Sequence, residues 1–302
     1  MKKLALLLFL LFIKSSFCVA QSKMMIFEDS LKNLGLTFSS DTIQENRTQA
    51  NYAFIKILVN SLKEKNSFNY PFQDIQDFVS VKKSEDNKFR IFSWFTQNDD
   101  GSYRYFGAIQ MNNPTKLELY PLLDNTQSLK TSLSISDTTL TTNQWYGAAY
   151  YHILPVLGIK DPYYILFGWK GKNMESSSKI IETLRFKDGK PEFGIAVLEN
   201  APKSNYFSKR VVFNYTKEAS MMLRYAKDDK LIVFDHLVAS NDQSKQLTDL
   251  YAPDLSYDGY KFKFGKWIYQ ENLKLKNLPE ESDDFFIDPA KDTQNTSPVI
   301  KN

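Results

Sequence analysis

The stretch Ala252–Tyr269, APDLSYDGYKFKFGKWIY, decides how the chain folds. It opens with Asp254, Ser256 and Asp258 at alternate positions and Gly259 behind them. Those are the first three oxygen positions and the glycine of an EF-hand calcium loop. Such a loop also needs a bidentate Glu at its twelfth position, which counted from Asp254 is Gly265, and its flanks should be helical. A hairpin accounts for more of the stretch. Tyr260, Phe262 and Phe264 alternate with Lys261 and Lys263, the period of a strand. Gly265-Lys266 then suits a two-residue type II′ loop with glycine first. That loop opposes Phe264 to Trp267, Phe262 to Tyr269 and Tyr260 to Glu271, with two aromatic pairs on one face. Asp254, Ser256 and Asp258 remain a secondary cation candidate, and calcium is the ion their oxygens suit.

Working back along the chain, the same texture recurs. KFRIFSWF and YRYFGAIQM flank Asn98–Gly101, LRF and KPEFGIAVLE flank Asp188-Gly189, and MMLRYA and KLIVFDHL flank Asp228-Asp229. Each is strand, tight turn, strand, with turn residues that tolerate positive φ. RVVFNY at 210–215 is expected to add a strand to the last pair, and YYILFGW at 163–169 reads as a buried strand. KIIETLRF at 179–186 is ambiguous by pattern, and the hairpin signal behind it favours strand. The Ser/Thr-rich segment 124–144 is the best internal boundary candidate.

Before residue 77 the period is helical. MMIFEDSLKNLGL places Ile26, Leu31 and Leu34 near one face, with Gly35 as a stop. Asp41 and Gln44 have the spacing of a capping box. Tyr52, Ile55, Val59 and Leu62 then form a stripe that Phe54 and Leu58 widen. The expected architecture is α+β and β-rich. A helical segment over 21–76 packs on an antiparallel meander over 77–276 (a barrel, a sandwich or a propeller-like array), and no repeat of fixed period supports a regular propeller. Residues 277–302 are proline-containing and polar and are expected to form a disordered tail.

The first residues, MKKLALLLFLLFIKSSFCVAQ, have the charged start, ten-residue apolar run and small-residue end of a secretory signal peptide over 1–20. A lipoprotein anchor on Cys18 is the competing reading. Residues 1–20 carry Lys2, Lys3 and Lys14 and no acid, so their removal leaves 35 basic and 35 acidic residues. A neutral chain has no long-range field for nucleic acid. Cys18 is the single cysteine, so an exported form cleaved after Ala20 has no disulfide, no thiol nucleophile and no thiolate metal site. No later run approaches the ~20 apolar residues of a transmembrane anchor.

The two histidines, His152 and His236, are too few for a zinc site by themselves and read as core or sheet-face residues. Asp235 and His236 are adjacent, so on a strand they point to opposite faces and cannot form a carboxylate–imidazole couple with each other. Nucleophile-elbow, zincin, P-loop and dinucleotide motifs are absent. The chain holds 23 Phe, 17 Tyr and 4 Trp. Rings fill sheet cores, but on an exported protein exposed ones stack on sugars. Trp94, Trp145, Trp169 and Trp267 are therefore the ligand-binding candidates.

DPYYILFGWKGKN, RVVFNYTKEASMMLRY, LIVFDHL and the opening stretch together resemble secreted Bacteroidetes proteins of unassigned function. The resemblance covers about residues 77–273, as the turn signals delimit them. It implies an envelope or extracellular location and carries no site residue with it. The expected function is a non-enzymatic envelope or extracellular module that binds a protein or glycan partner. The alternative is a glycan-acting hydrolase whose carboxylate pair is assembled by the fold.

Overall fold

The computed structural model describes residues 23–129, 135–239 and 247–274. The expected leader, Cys18 and the tail from residue 277 lie outside the described residues. The fold is α+β and β-rich, with an N-terminal pair of helices and antiparallel sheets. By contacts the chain divides into two units. The first comprises residues 23–129, 140–155 and 187–192, and the second comprises 135–139, 156–186, 193–239 and 247–274.

The first unit begins with α1 (23–40) and α2 (Gln44–Leu62). Met24, Leu31 and Phe38 recur on one face of α1 and are buried, with Phe27 and Leu34 packed beside them. Ile26 faces solvent. Gly35 does not stop the helix. A Cβ there would come within 2.5 Å of the Phe78 ring, so the glycine permits a close approach. The buried stripe of α2 centres on Ala50, Phe54, Leu58 and Leu62, and Tyr52 is exposed. The expected capping box does not form. Asp41 Oδ1 accepts from the Ile43 N–H (2.7 Å), and Gln44 Oε1 accepts from the Asp99 N–H (2.7 Å).

Both helices pack on a sheet ordered β1 (Ser80–Lys83), β2 (Phe89–Gln97), β3 (Tyr103–Met111), β4 (Leu119–Leu123). Phe92 and Trp94 of β2 complete the core they share. The β2–β3 turn is the expected one, with Gln97 paired to Tyr103 and Gly101 at φ 78°. Beneath the sheet, buried Arg90 donates to Gln110 Oε1 (2.8 Å) and to the Tyr70 and Ser67 carbonyls (2.7 Å each), which satisfies a charge that water cannot reach. After β5 (Leu140–Thr141), β6 (Ala149–Val156) is tied to this sheet. The Ser80 hydroxyl donates to the Tyr150 carbonyl, and the Tyr150 N–H donates to the Ser93 hydroxyl (2.8 Å).

In the second unit, β7 (Tyr163–Gly171) is buried along its whole length, as YYILFGW leads one to expect. It pairs antiparallel with β8 (Ser176–Lys187), which settles KIIETLRF as strand. Across the Lys187–Glu192 stretch, which belongs to the first unit, Asp188 and Gly189 take φ 51° and 76° before β9 (Lys190–Phe193). A second sheet involves β10 (Leu198–Glu199), β11 (Phe207–Ser208), β13 (Leu223–Ala226), β14 (Leu231–Ala239), β15 (Tyr251–Lys263) and β16 (Lys266–Gln270). Its order is β11-β10-β16-β15-β14-β13, antiparallel except where Leu198 meets Trp267. The strand RVVFNY, β12 (Arg210–Thr216), does not join that sheet. It pairs with β8, where buried Arg210 meets buried Glu182, an ion pair whose loss of either partner would leave a buried charge uncompensated.

The β15–β16 hairpin forms, but its loop is Phe264-Gly265, not Gly265-Lys266. Lys263 pairs with Lys266, Phe262 with Trp267 and Tyr260 with Tyr269. Both loop residues have positive φ, 49° and 82°, the type I′ pattern. Neighbours fix both strands of the hairpin from outside, β16 where Trp267 meets Leu198 of β10 and β15 where it meets β14. Gly259 lies against β14, where a Cβ would come within 2.3 Å of the Ile232 carbonyl oxygen, so its pairing with Val233 cannot slip. The shift preserves both faces, and two aromatic pairs remain, with ring centroids 5.2 and 5.4 Å apart.

Candidate functional site

β14 and β15 pair regularly from Leu231 to Asp235, and Phe234 opposes Asp258. Beyond Asp235 the register shifts, and Leu237 meets Pro253. His236 therefore stands alone against Asp254, Leu255 and Ser256, and Leu255 takes φ 71° in the resulting bulge. The pleat puts His236 on the face of Phe234 and Asp258, and it turns Asp235 away. Asp235 Oδ2 accepts instead from the Met222 N–H (2.7 Å).

What sequence spacing missed is a different couple. His236 Nδ1 lies 2.7 Å from Asp258 Oδ2, which also accepts from the Tyr269 hydroxyl (2.7 Å). Asp258 Oδ1 accepts from the Asn272 N–H (3.0 Å). The Asp258 side chain is 5 % exposed and that of His236 is 44 % exposed. A buried carboxylate thus orients a half-exposed imidazole. Burial, and then the Asp258 contact, push the Tyr269 phenol above its ordinary value, so it stays a donor. The signal was available in part. Pairing LIVFDHL with DLSYDGY by their hydrophobic faces brings His236 diagonal to Asp258, but only if the bulge is foreseen.

The couple borders a cleft of about 390 Å³ between β12 of one sheet and β14, β15 and β16 of the other. Phe213, Phe234 and Tyr269 give it an aromatic wall, with Phe213 and Phe234 centroids 4.6 Å apart. Asn214, Thr248 and Tyr251 also line it, with His236. The Ser178 hydroxyl donates to Asn214 Oδ1 (2.8 Å), which leaves the Asn214 amide hydrogens to face Thr248 Oγ1 (3.3 Å). Lys172 binds both oxygens of Asp249 (2.5 and 2.6 Å) and so fixes the turn that carries Thr248.

The four tryptophans are elsewhere. Trp94, Trp145, Trp169 and Trp267 are each 3 % exposed or less, so none presents a face to a ligand. The reason is size: the largest apolar surfaces gain most from the interior. Trp94 Nε1 donates to Asn51 (2.7 Å) and Trp145 Nε1 to Tyr150 (2.8 Å). The cation candidate is likewise engaged locally. Asp254 Oδ1 accepts from the Ser256 hydroxyl and N–H (2.6 and 2.9 Å), which, with His236 nearby, hold its carboxyl below the ordinary range. Asp258 serves the histidine. Among the described residues no group of three or more His, Cys, Asp or Glu is placed to hold a metal. His152 lies in β6, and burial lowers its pKa below the ordinary imidazole value.

No family model, no curated protein and no solved structure matches this chain.

Proposed function

We propose that the protein is an exported, non-enzymatic module that binds a glycan partner in the cleft beside His236. One observation carries this reading: an open cleft sets the rings of Phe213 and Tyr269 next to Asn214, Thr248 and His236. Sugar rings offer CH faces to aromatics and hydroxyls to amides and imidazoles, so this mixture suits them. Export rests on the N-terminal leader pattern. The hydrolase reading draws less support. A carboxyl that protonates a leaving group would have to be Asp258, which accepts hydrogen bonds from three groups, or Asp235, which faces Met222.

Screening the purified protein against immobilised saccharides tests the proposal. Binding is expected, and Phe213→Ala and Asn214→Ala should each weaken it about tenfold. Binding to no saccharide, or undiminished binding by both variants, would refute the proposal. Turnover of the bound saccharide that disappears in Asp258→Asn would move the assignment to the hydrolase.

A further inference from the structure

The tip of the β15–β16 hairpin breaks two local rules at once. Phe264 is a bulky residue at φ 49°, in a turn position that Asn, Asp and Gly fill readily, and its side chain is fully exposed. Lys263 stands directly opposite Lys266, a like-charge pair that opposes pairing. Lys261 completes the set, and residues 259–270 contain three lysines and no acid. All three lysines are exposed. β14 last meets β15 at Lys261, and β10 meets β16 at Trp267, so residues 262–266 lie beyond both ladders; there the Gly265 carbonyl accepts from the Tyr163 hydroxyl (3.1 Å) and Lys266 Nζ lies 3.6 Å from the Phe207 ring centroid. Blocking edge-to-edge aggregation does not explain the lysines, because β15 and β16 are interior strands of their sheet.

Tyr163 and Phe207 hold the turn's backbone and Lys266, but the fully exposed Phe264 ring has no such return, and a local cost of that kind marks a functional surface. We infer that this tip docks on an anionic lipid surface, with the Phe264 ring entering the interface and Lys261, Lys263 and Lys266 pairing with headgroup charges. An aromatic ring at the acyl boundary flanked by lysines is the chemistry of interfacial anchoring. An anionic surface would take the exposed ring out of water and screen Lys263 from Lys266. Among the described residues no helix is long and apolar enough to cross a membrane, so this contact would be peripheral to the bilayer.

Vesicle pelleting of the purified full chain tests it, with phosphatidylglycerol–phosphatidylcholine vesicles against phosphatidylcholine alone. The mixed vesicles should bind more tightly, and Lys263→Gln and Lys266→Gln should each cost about fivefold. Phe264→Asn should weaken binding to the mixed vesicles several-fold while raising the melting temperature, so misfolding cannot explain the loss. Phe264→Trp should blue-shift and be quenched by brominated lipid, because the four native indoles are shielded. Equal pelleting of wild type and Phe264→Asn, together with no quenching of Phe264→Trp, would overturn the inference. So would a wild-type dimer that Phe264→Asn dissolves while vesicles go unbound, since the tip would then serve a second copy of the chain.

Discussion

Two hairpins in this protein turn their chains in opposite styles. Between β2 and β3 the turn Asn98–Gly101 uses polar residues that satisfy one another. The Asn98 amide donates to the Ser102 hydroxyl (2.9 Å), the Ser102 N–H donates to Asp100 (2.9 Å), and glycine takes the left-handed position. Between β15 and β16 a phenylalanine takes such a position and two lysines face each other. Both hairpins form. A turn's own chemistry is therefore sufficient for one and unnecessary for the other, whose register is held by its neighbours.

The largest effect should come from attacking that neighbour-held register. Gly259→Ala places a Cβ against the Ile232 carbonyl and should destabilise the protein by about 3 kcal/mol, measured by chemical denaturation. A loss near zero would mean that the β14–β15 pairing does not set the hairpin. The two turns should then respond with opposite signs. Gly101→Ala should cost about 1 kcal/mol, because glycine is needed at φ 78°. Phe264→Asn should gain about 1 kcal/mol, because asparagine suits φ 49° better than phenylalanine. Effects of equal sign would erase the contrast.

The smallest effect concerns pH and belongs to β6, which is tied to the sheet of the first hairpin. Burial lowers the His152 pKa, with a further lowering from Lys82 and an opposing effect of Glu85. The folded chain then keeps this imidazole neutral, while the unfolded chain protonates as pH falls through 6.5. Its contribution is complete above that value and is lost below it. The fall in melting temperature from pH 7 to pH 5 should accordingly be shallower in His152→Gln than in wild type. Identical slopes would show that burial does not hold this imidazole neutral.

Much of the fold was legible one element at a time. Period two in KFRIFSWF and YYILFGW and period 3.6 after residue 50 identified strands and a helix, because burial of one face leaves its rhythm in the chain. Gly35 and Gly259 misled for one reason. Each is glycine because another element passes close by, and nothing local announces that. The tryptophans misled as ligand candidates because a ring's size argues for the core as strongly as its face argues for sugar. The site was the least legible part, since His236 and Asp258 lie 22 positions apart and meet only where a bulge shifts the register.

By itself the amino-acid order determined the class of architecture, the helical beginning, the positions of most turns and the shortage of groups for thiol or zinc chemistry. These depend on periodicity and on which residue types exist at all, and both are local properties. Only the tertiary structure decided that RVVFNY pairs with β8, that Phe264 is thrust into solvent and that His236, Asp258 and four aromatic rings share one cleft. Those outcomes depend on which strands lie side by side, and a pleated strand presents the same pattern to every partner it could take.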